Sequence, residues 1–514
     1  MSGSTVHSWK LGLALPTGKM ARIPLRNPYL AKFQERLKHT NTLILDEFSM
    51  VSLIMLYWID CRCRQAKPHN AHLPFGGMNV IFTGDIGQLP PVTGNCLWSA
   101  LSGKTFKEKS ASVIYHLFDI AVILQLNNRQ ADPVFRGILD RLYDGETTKE
   151  DWVLLQSQSR AAIPDWDTTF GANDTVHLHV KNRDVLEQNL RTLQSLNQPI
   201  VRFNADHACS ADKGAEGDKA LDLQPFLYLC KGAQVLHTSN TCQVWGLCNG
   251  AVGTVVDFII GEEGPPALPL AVIVDFGEHY IGPPLFGPDD PPCAANPNPV
   301  SKKGWVAIEP ITADWSEDDK AHSRTMLPLK LSWAWTVWKA QGQTMTGRLV
   351  LHLGDAEKTP GIAYTAMSRA TLLANIAHYG ITLERLTTKI TGGSGFIGRR
   401  REENRLRAMA ISTADRFGSQ FLSATQMVEL RGRLQQPRPP PPPKPPVLAR
   451  RTGRGGSGTG GRAAPQAPAL GGGSRSTAGR GRAGRGGTGT SGAVRGGAGR
   501  GRGRGTRGGR GTRA

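Results

Sequence analysis

The chain has 514 residues, 39% of them hydrophobic, a length and composition that allow two or three domains with real cores. Its longest apolar run, "VSLIMLYWIDC", falls far short of the ~20 residues needed to cross a bilayer, and the N-terminus shows no basic-then-apolar signal, so a soluble, intracellular protein is expected. The formal charge of +19 is uneven: residues 451–514 hold 14 Arg with no Lys, Asp or Glu, leaving +5 for all that precedes them.

The first glycine-rich stretch, Gly12 to Met20, reads "GLALPTGKM". It imitates the phosphate loop G-x-x-x-x-G-K-[ST], whose backbone N–H groups wrap phosphates while its hydroxyl holds Mg²⁺. Five residues separate Gly12 from Gly18, Pro16 interrupts the loop, and Met20 stands where the hydroxyl is required. A thioether is a poor ligand for hard Mg²⁺, so the stretch reads as a loop with a turn lysine at Lys19. From Thr5 to about Ile123, short apolar runs such as "NTLILDE" and "MNVIFTGD" alternate with helical stretches and end in acidic residues or glycine. That is the pattern of a parallel α/β sheet, whose ligands lie beyond the carboxyl ends of the strands. A second α/β region covers about 124–205 and resumes at about 326–395. Between them, "GAQVLH", "GAVGTVVDF" and "LPLAVIVDF", with an Asn249-Gly250 turn, read as a small inserted β-barrel. The basic stretch "RRREENRLRAMAISTADRF" is helical in pattern. After it, "QQPRPPPPPKPP" is an extended spacer and the Gly/Arg-rich remainder cannot bury enough apolar surface to fold. Eight cysteines without a C-x-x-C pair, in which Cys61 and Cys63 alone cannot complete a zinc site, read as free thiols in a reducing compartment.

Two strand ends carry chemistry. "TLILDEFSM" closes on Asp46-Glu47, where one carboxylate suits hydrated Mg²⁺ and the other suits orienting and deprotonating a water; by itself the pair reads more readily as an ordinary helix N-cap. "FGGMNVIFTGDIGQLPPV" closes on Gly84-Asp85, followed by Gln88 and the rigid Pro90-Pro91.

With these two motifs in order, the chain resembles the PIF-like (petite-integration-frequency) DNA helicases of superfamily one, relatives of RecD, through "DEFSM" and "GDIGQLPPV". The resemblance implies an α/β fold with two RecA-like domains of the P-loop-NTPase type and an SH3-like β-barrel inserted before motif five. It further implies ATP and Mg²⁺ as cofactors, and single-stranded and forked DNA as partners. Carried over by motif, Asp46 would hold the metal and Glu47 the attacking water, and Gly84, Asp85 and Gln88 would lie at the nucleotide. In "STVHSW", Thr5, His7 and Ser8 would meet DNA phosphates. In "LNNRQADPVFRGILDRLYDGE", Arg129 would stabilise charge on the γ-phosphate, against the alternative of a solvated helix charge. In "LPLKLSWAWTVWKAQGQTM", Thr336, Lys339 and Thr344 would face DNA while Gln341 and Gly342 lie near nucleotide; Trp338 replaces the family's usual His. In "GIAYTAMSRA", Arg369 would be a second arginine finger.

The domain division expected is 1–123 for the first RecA-like domain without its Walker A loop, 124–225 and 326–395 for the second, and 226–325 for the barrel. Then come 396–436 as a basic helical extension and 437–514 as a disordered tail. In this family the phosphate loop precedes "T-x-HS", so Met1 falls after its place and "GLALPTGKM" is on the wrong side. The expectation is an N-terminally truncated helicase chain, with a partial gene model or mobile-element remnant as further readings. A rival reading from another class is a degenerate helicase acting as a non-enzymatic DNA or RNA binder. Four R-G-G triplets, at Arg454, Arg485, Arg495 and Arg507, offer guanidiniums for phosphates and bases, including those of RNA; they read alternatively as a solvated linker or a nuclear-import signal. The family suggests a nuclear location and roles in DNA repair, recombination or telomere maintenance.

Overall fold

The computed structural model describes residues 29–171, 175–208, 220, 222–286, 302–317, 320–355, 357–391 and 394–435. The stretch "GLALPTGKM", the candidate DNA contacts Thr5, His7 and Ser8, and the tail arginines Arg454, Arg485, Arg495 and Arg507 lie outside them.

Strands Thr42–Leu45 and Asn79–Phe82 pair in parallel, with Leu45 opposite Phe82. A parallel pair needs a crossover, and here the helix Leu53–Ala66 supplies it. Ser52 caps that helix by accepting from the Met55 N–H at 3.2 Å. Its Leu53, Leu56, Ile59 and Cys63 recur at helical spacing and are fully buried. They form a first core with Leu45, Phe48, Ile86 and Leu97, closed by the helix Phe106–Tyr115 through Ala111 and Tyr115.

A four-stranded, all-parallel sheet follows in the order Ala334–Thr336, Val176–His179, Leu349–His352, Ile376–His378. Leu349, Val350 and Leu351 are fully buried in sequence, as expected for a strand covered on both faces. The helices Pro133–Asp144 and Ile362–Met367 contribute Phe135, Ile138, Ile362 and Ala366 to this second core.

A five-stranded antiparallel sheet is built from Trp305–Ile308, Ala271–Asp275, Val252–Ile259, Gln234–His237 and Leu329–Leu331, in that order. The apolar runs noted in the sequence supply three of these strands. Val252–Ile259 carries an irregularity between Val255 and Asp257, which bends it. A three-stranded sheet of Ile311–Glu317, Lys320–Met326 and Asp206–His207 shares a third core with it through Ala313, Val274 and Trp333. The chain then forms the long helix Ser394–Phe417 and the helix Ala424–Gln435, where the sequence pattern placed a basic helical stretch. The architecture is thus mixed α/β, with two parallel sheets and with antiparallel sheets inserted in sequence between Val176–His179 and Ala334–Thr336 of the second. Among the described residues, no helix is long and apolar enough to cross a membrane, and six cysteines are free.

Candidate functional site

The strand Thr42–Leu45 delivers Asp46 and Glu47 at its carboxyl end. Asp46 Oδ1 accepts from the Thr83 hydroxyl at 2.6 Å and from the Glu47 N–H at 2.9 Å, which fixes the carboxylate between the ends of the paired strands. Glu47 takes the left-handed conformation, φ 52°, an arrangement that costs on the order of 1 kcal/mol for a residue with a Cβ. The turn that it begins aims its carboxylate at the second parallel sheet's side of the molecule. There Glu47 Oε2 accepts from Gln341 Nε2 at 2.8 Å, and the same amide lies 3.3 Å from Ser49 Oγ. Gly84, at the end of the neighbouring strand, has φ 141°, and a Cβ there would meet the Phe48 nitrogen at 3.0 Å and Glu47 Cα at 3.2 Å. The glycine lets the two acidic strand ends converge.

Asp85 ties the next loop to the helix Ile362–Met367. Its Oδ1 accepts from the Gly87 N–H at 2.8 Å, and its Oδ2 accepts from the Tyr364 hydroxyl at 3.0 Å. Burial, helped by the Asp85 charge, raises the Tyr364 pKa well above the usual phenol value, so Tyr364 stays a donor. Gln88 is held between two anchors: Ile86 belongs to the first core and Leu89 to the second. Gly361 packs directly beneath, where a Cβ would stand 2.6 Å from the Gly87 carbonyl oxygen and 2.7 Å from that of Gln88. Gln88 Oε1 and Gln341 Oε1 are buried without a hydrogen-bond partner.

The arginines approach from the second core. Arg369 is 1% exposed and donates to Thr365 O at 2.9 Å, Ser368 Oγ at 2.9 Å and Gln343 O at 3.2 Å. Burial, reinforced by the nearby Arg129 charge and opposed by Glu47 and Asp85, lowers its pKa to about 10, so it remains charged at neutral pH. Arg129 donates to Thr344 Oγ1 at 3.0 Å and to Ser368 O at 3.2 Å. Gln130, next to Arg129 in the sequence, is buried and clamps Ser368 O at 3.0 Å and Ala370 O at 2.8 Å. It fixes the Arg129 segment to the Arg369 turn. Two carboxylates at the first sheet's strand ends, Glu47 and Asp85, therefore act on Arg369, which lies near Arg129, while Asp46 stands beside Glu47 at the same strand end.

Of the residues proposed to face DNA, Thr336 caps the short helix Val337–Ala340 by accepting from the Lys339 N–H at 3.2 Å, and Lys339 Nζ donates to Asn249 Oδ1 at 2.9 Å. Both sit where the second parallel sheet meets the loop before Val252–Ile259. Thr344 Oγ1 accepts from Arg129, and Trp338 packs against the second core. Gly342, at φ 80°, brings the backbone close to Glu47, whose Oε1 would lie 3.5 Å from an added Cβ.

Besides the G-K-M of residues 18–20, the sequence contains a G-K-T, Gly103-Lys104-Thr105, at the start of the helix Phe106–Tyr115. It is no phosphate cradle. Trp98 occupies the position of the first glycine, and Thr105 and Glu108 form a reciprocal capping box that fills the helix N-terminus with the protein's own carboxylate. The described part of the site fits a nucleotide phosphate with Mg²⁺ by its donor set: two charged guanidiniums, orphaned buried amide oxygens and single strand-end carboxylates. Among the described residues no cluster of three or more acidic, His or Cys side chains could hold a metal alone, and Mg²⁺ is usually held by one or two carboxylates with phosphate and water oxygens.

Residues 1–134 match the family model described as PIF1-like helicase. ATP-dependent DNA helicase PIF1 of Homo sapiens is 30% identical over 346 residues, covering 65% of this chain and 45% of that protein. ATP-dependent DNA helicase RRM3 of Saccharomyces cerevisiae is 26% identical over 430 residues, covering 72% of this chain and 55% of that protein. The chain thus spans about half the length of the curated relatives it matches. Among solved structures, the Pif1 helicase of Candida albicans aligns over 75% of this chain and 82% of its own, with TM-score 0.53 and 23% identity. The Bacteroides Pif1 helicase in complex with ADP-AlF3 and single-stranded DNA aligns over 75% and 80%, with TM-score 0.51 and 22% identity. In motif order, in family model and in its RecA-like helicase fold, the chain is similar to the PIF1-like helicases.

Proposed function

We propose that this chain is the motor portion of an ATP-dependent DNA helicase of the PIF1-like kind, which binds nucleotide between its two parallel sheets. The observation that carries this reading is the convergence of Glu47 and Asp85, beside Asp46 at the first sheet's strand ends, with Arg369 and its neighbour Arg129 from the other core. Mg²⁺, when bound, neutralises phosphate charge. Asp46 is the carboxylate placed to hold it, and Glu47 is placed to orient a water and accept its proton. Arg129 and Arg369 are fixed by backbone carbonyls, so their charges stand ready for negative charge that develops on the phosphate and need no reorganisation. Gln88, anchored on both sides by buried side chains, reads the phosphate and the distance between the cores together. Glu47–Gln341 and Asp85–Tyr364 span the cleft, so a change there is passed to Thr336 and Lys339, the residues assigned to the DNA backbone.

The finer organisation belongs to this proposal as well: RecA-like domains over 1–123 and over 124–225 with 326–395, an SH3-like barrel over 226–325, the helical extension 396–436 and a disordered tail from 437. The antiparallel five-stranded sheet supports the barrel assignment. Single-stranded and forked DNA are the partners, with RNA added through the Arg/Gly-rich tail, and a nuclear location is part of the same reading. The test is binding of a fluorescent ATP analogue with Mg²⁺, and of a forked DNA, to the 514-residue chain. Arg369→Ala should weaken nucleotide binding at least about tenfold, the loss of one charge-assisted donor pair, while leaving fork binding within about twofold. Equal nucleotide affinity of the two proteins would overturn the proposal.

A further inference from the structure

The helix Ser394–Phe417 lies beyond the motifs that carry the resemblance, and no part of the proposed chemistry uses it. At 24 residues it is a rod about 36 Å long. Its two ends are fastened to different cores. Near its start, Phe396 is 1% exposed inside the second core, and Arg400 Nη1 meets Asp144 Oδ1 at 2.8 Å. Further along, Glu402 Oε1 accepts from the Tyr115 hydroxyl at 2.7 Å, and Leu406 packs on the first core. The Thr413 hydroxyl accepts from the Ala121 N–H at 3.1 Å, and Arg416 pairs with Asp119 at 3.1 Å. A rigid helix anchored this way sets the spacing of the two cores without any ligand.

Arg399 stands between the two sets of anchors. It is 5% exposed, its guanidinium lies over the rings of Tyr143 and Phe396 at 4.7 and 4.8 Å, and it donates to the Tyr143 carbonyl and, at 3.4 Å, to the Gly87 carbonyl. Tyr143 in turn presses on Gly87, where a Cβ would be 1.9 Å from the ring. The loop that presents Gln88 is thus gripped from behind by one side chain of this helix.

We propose that the helix Ser394–Phe417 is an intramolecular strut between the two cores, and that Arg399 is a positioning residue through which it fixes the Asp85–Gln88 loop. The strut rests on the contacts alone, whereas its meaning for phosphate sensing rests on the nucleotide reading of the cleft. Arg399 never reaches a reacting atom; it acts through the Gly87 backbone.

The experiment uses the whole 514-residue chain without nucleotide or DNA, so it stands apart from whether the site binds ATP. Hydrogen exchange is followed for the amides of Gly87 and Gln88, which donate to Asp85. In parallel, the distance between fluorophores at the exposed positions Lys109 and Glu150, one on each core, is recorded. Arg399→Ala should speed exchange of those amides about tenfold and broaden the distance distribution, because two carbonyls lose a charged donor. Arg399→Lys keeps charge near the rings but cannot reach both carbonyls, so it should restore the distance while leaving the exchange faster than in the parent. If Arg399→Ala fails to fold, the lysine variant decides the positioning role. Parent-like exchange in the folded variants would overturn the positioning role, and an unchanged distance distribution in Arg399→Ala, or in Tyr115→Phe should the alanine variant fail to fold, would overturn the strut.

Discussion

Acid should weaken the second sheet through a stack of histidines that has no place in the proposed chemistry. His177 and His179 alternate on the strand Val176–His179, and His352 ends the adjacent strand. His177 Nδ1 lies 3.0 Å from His352 Nε2, and the His179 and His352 rings stack at 4.2 Å and within 7° of parallel. Burial, with the neighbouring imidazoles adding to it, holds the pKa of His177 down at about 4 and that of His352 at about 3. In the unfolded chain both titrate near 6.5, so between these values the unfolded state binds protons that the folded state refuses. The stabilisation is complete above about pH 6.5 and is lost as pH falls toward the folded values. At pH 5 the difference amounts to about 2 kcal/mol for each ring, or about 3 kcal/mol for the pair once partial solvent screening is allowed for. His179, His237 and His378 are lowered too, also first by burial, and push the same way. The measurement is urea unfolding at pH 7 and pH 5, followed by tryptophan fluorescence. A midpoint that does not move between these pH values would refute the assignment, as would an identical shift in His177→Asn/His352→Gln.

Gly361→Ala should destabilise the chain by about 2 kcal/mol or more, since its φ of 88° and the carbonyl oxygens of Gly87 and Gln88 both oppose a Cβ. Gly432→Ala, on an open face of the helix Ala424–Gln435, should stabilise by roughly 0.5–1 kcal/mol, and thermal unfolding of the two variants gives the comparison. Deleting residues 437–514 removes the 14 arginines of 451–514 together with Arg438, Lys444 and Arg450; if those 14 were fully engaged on single-stranded DNA, they would give a slope of log affinity against log salt of at most about −10. Partial engagement predicts that the deletion flattens the slope by several units in a fluorescence titration of a homopolymeric strand, and an unchanged slope would assign binding to the groove instead.

The parts of the site that the sequence revealed are those whose chemistry is local. Asp46-Glu47 and Gly84-Asp85 each follow an apolar run, and acidic residues at adjacent parallel strand ends are brought together by the sheet itself. Nothing comparable marked Gln130, because its partners Ser368 and Ala370 stand about 240 residues away and a buried glutamine has no periodic signature. The histidine stack was half visible: "VHLH" puts two imidazoles on one face of a strand, but the third comes from a strand 175 residues later whose register the sequence does not print. The basic run after residue 395 is helical as its pattern indicates, but the pattern does not show where its arginines go: Arg399 and Arg400 are buried, with carbonyls, Asp144 and aromatic rings as partners. Charge pattern alone cannot separate buried arginines from solvated ones, because an arginine stem covers apolar surface as readily as its head meets a phosphate. What separates them is a neighbour: Phe396, three residues before Arg399, enters the second core and drags the first turn of the helix inward with it. An aromatic within one turn of a basic run is therefore the sequence signal for a bracing helix, and residues 437–514 contain no Phe, Trp or Tyr.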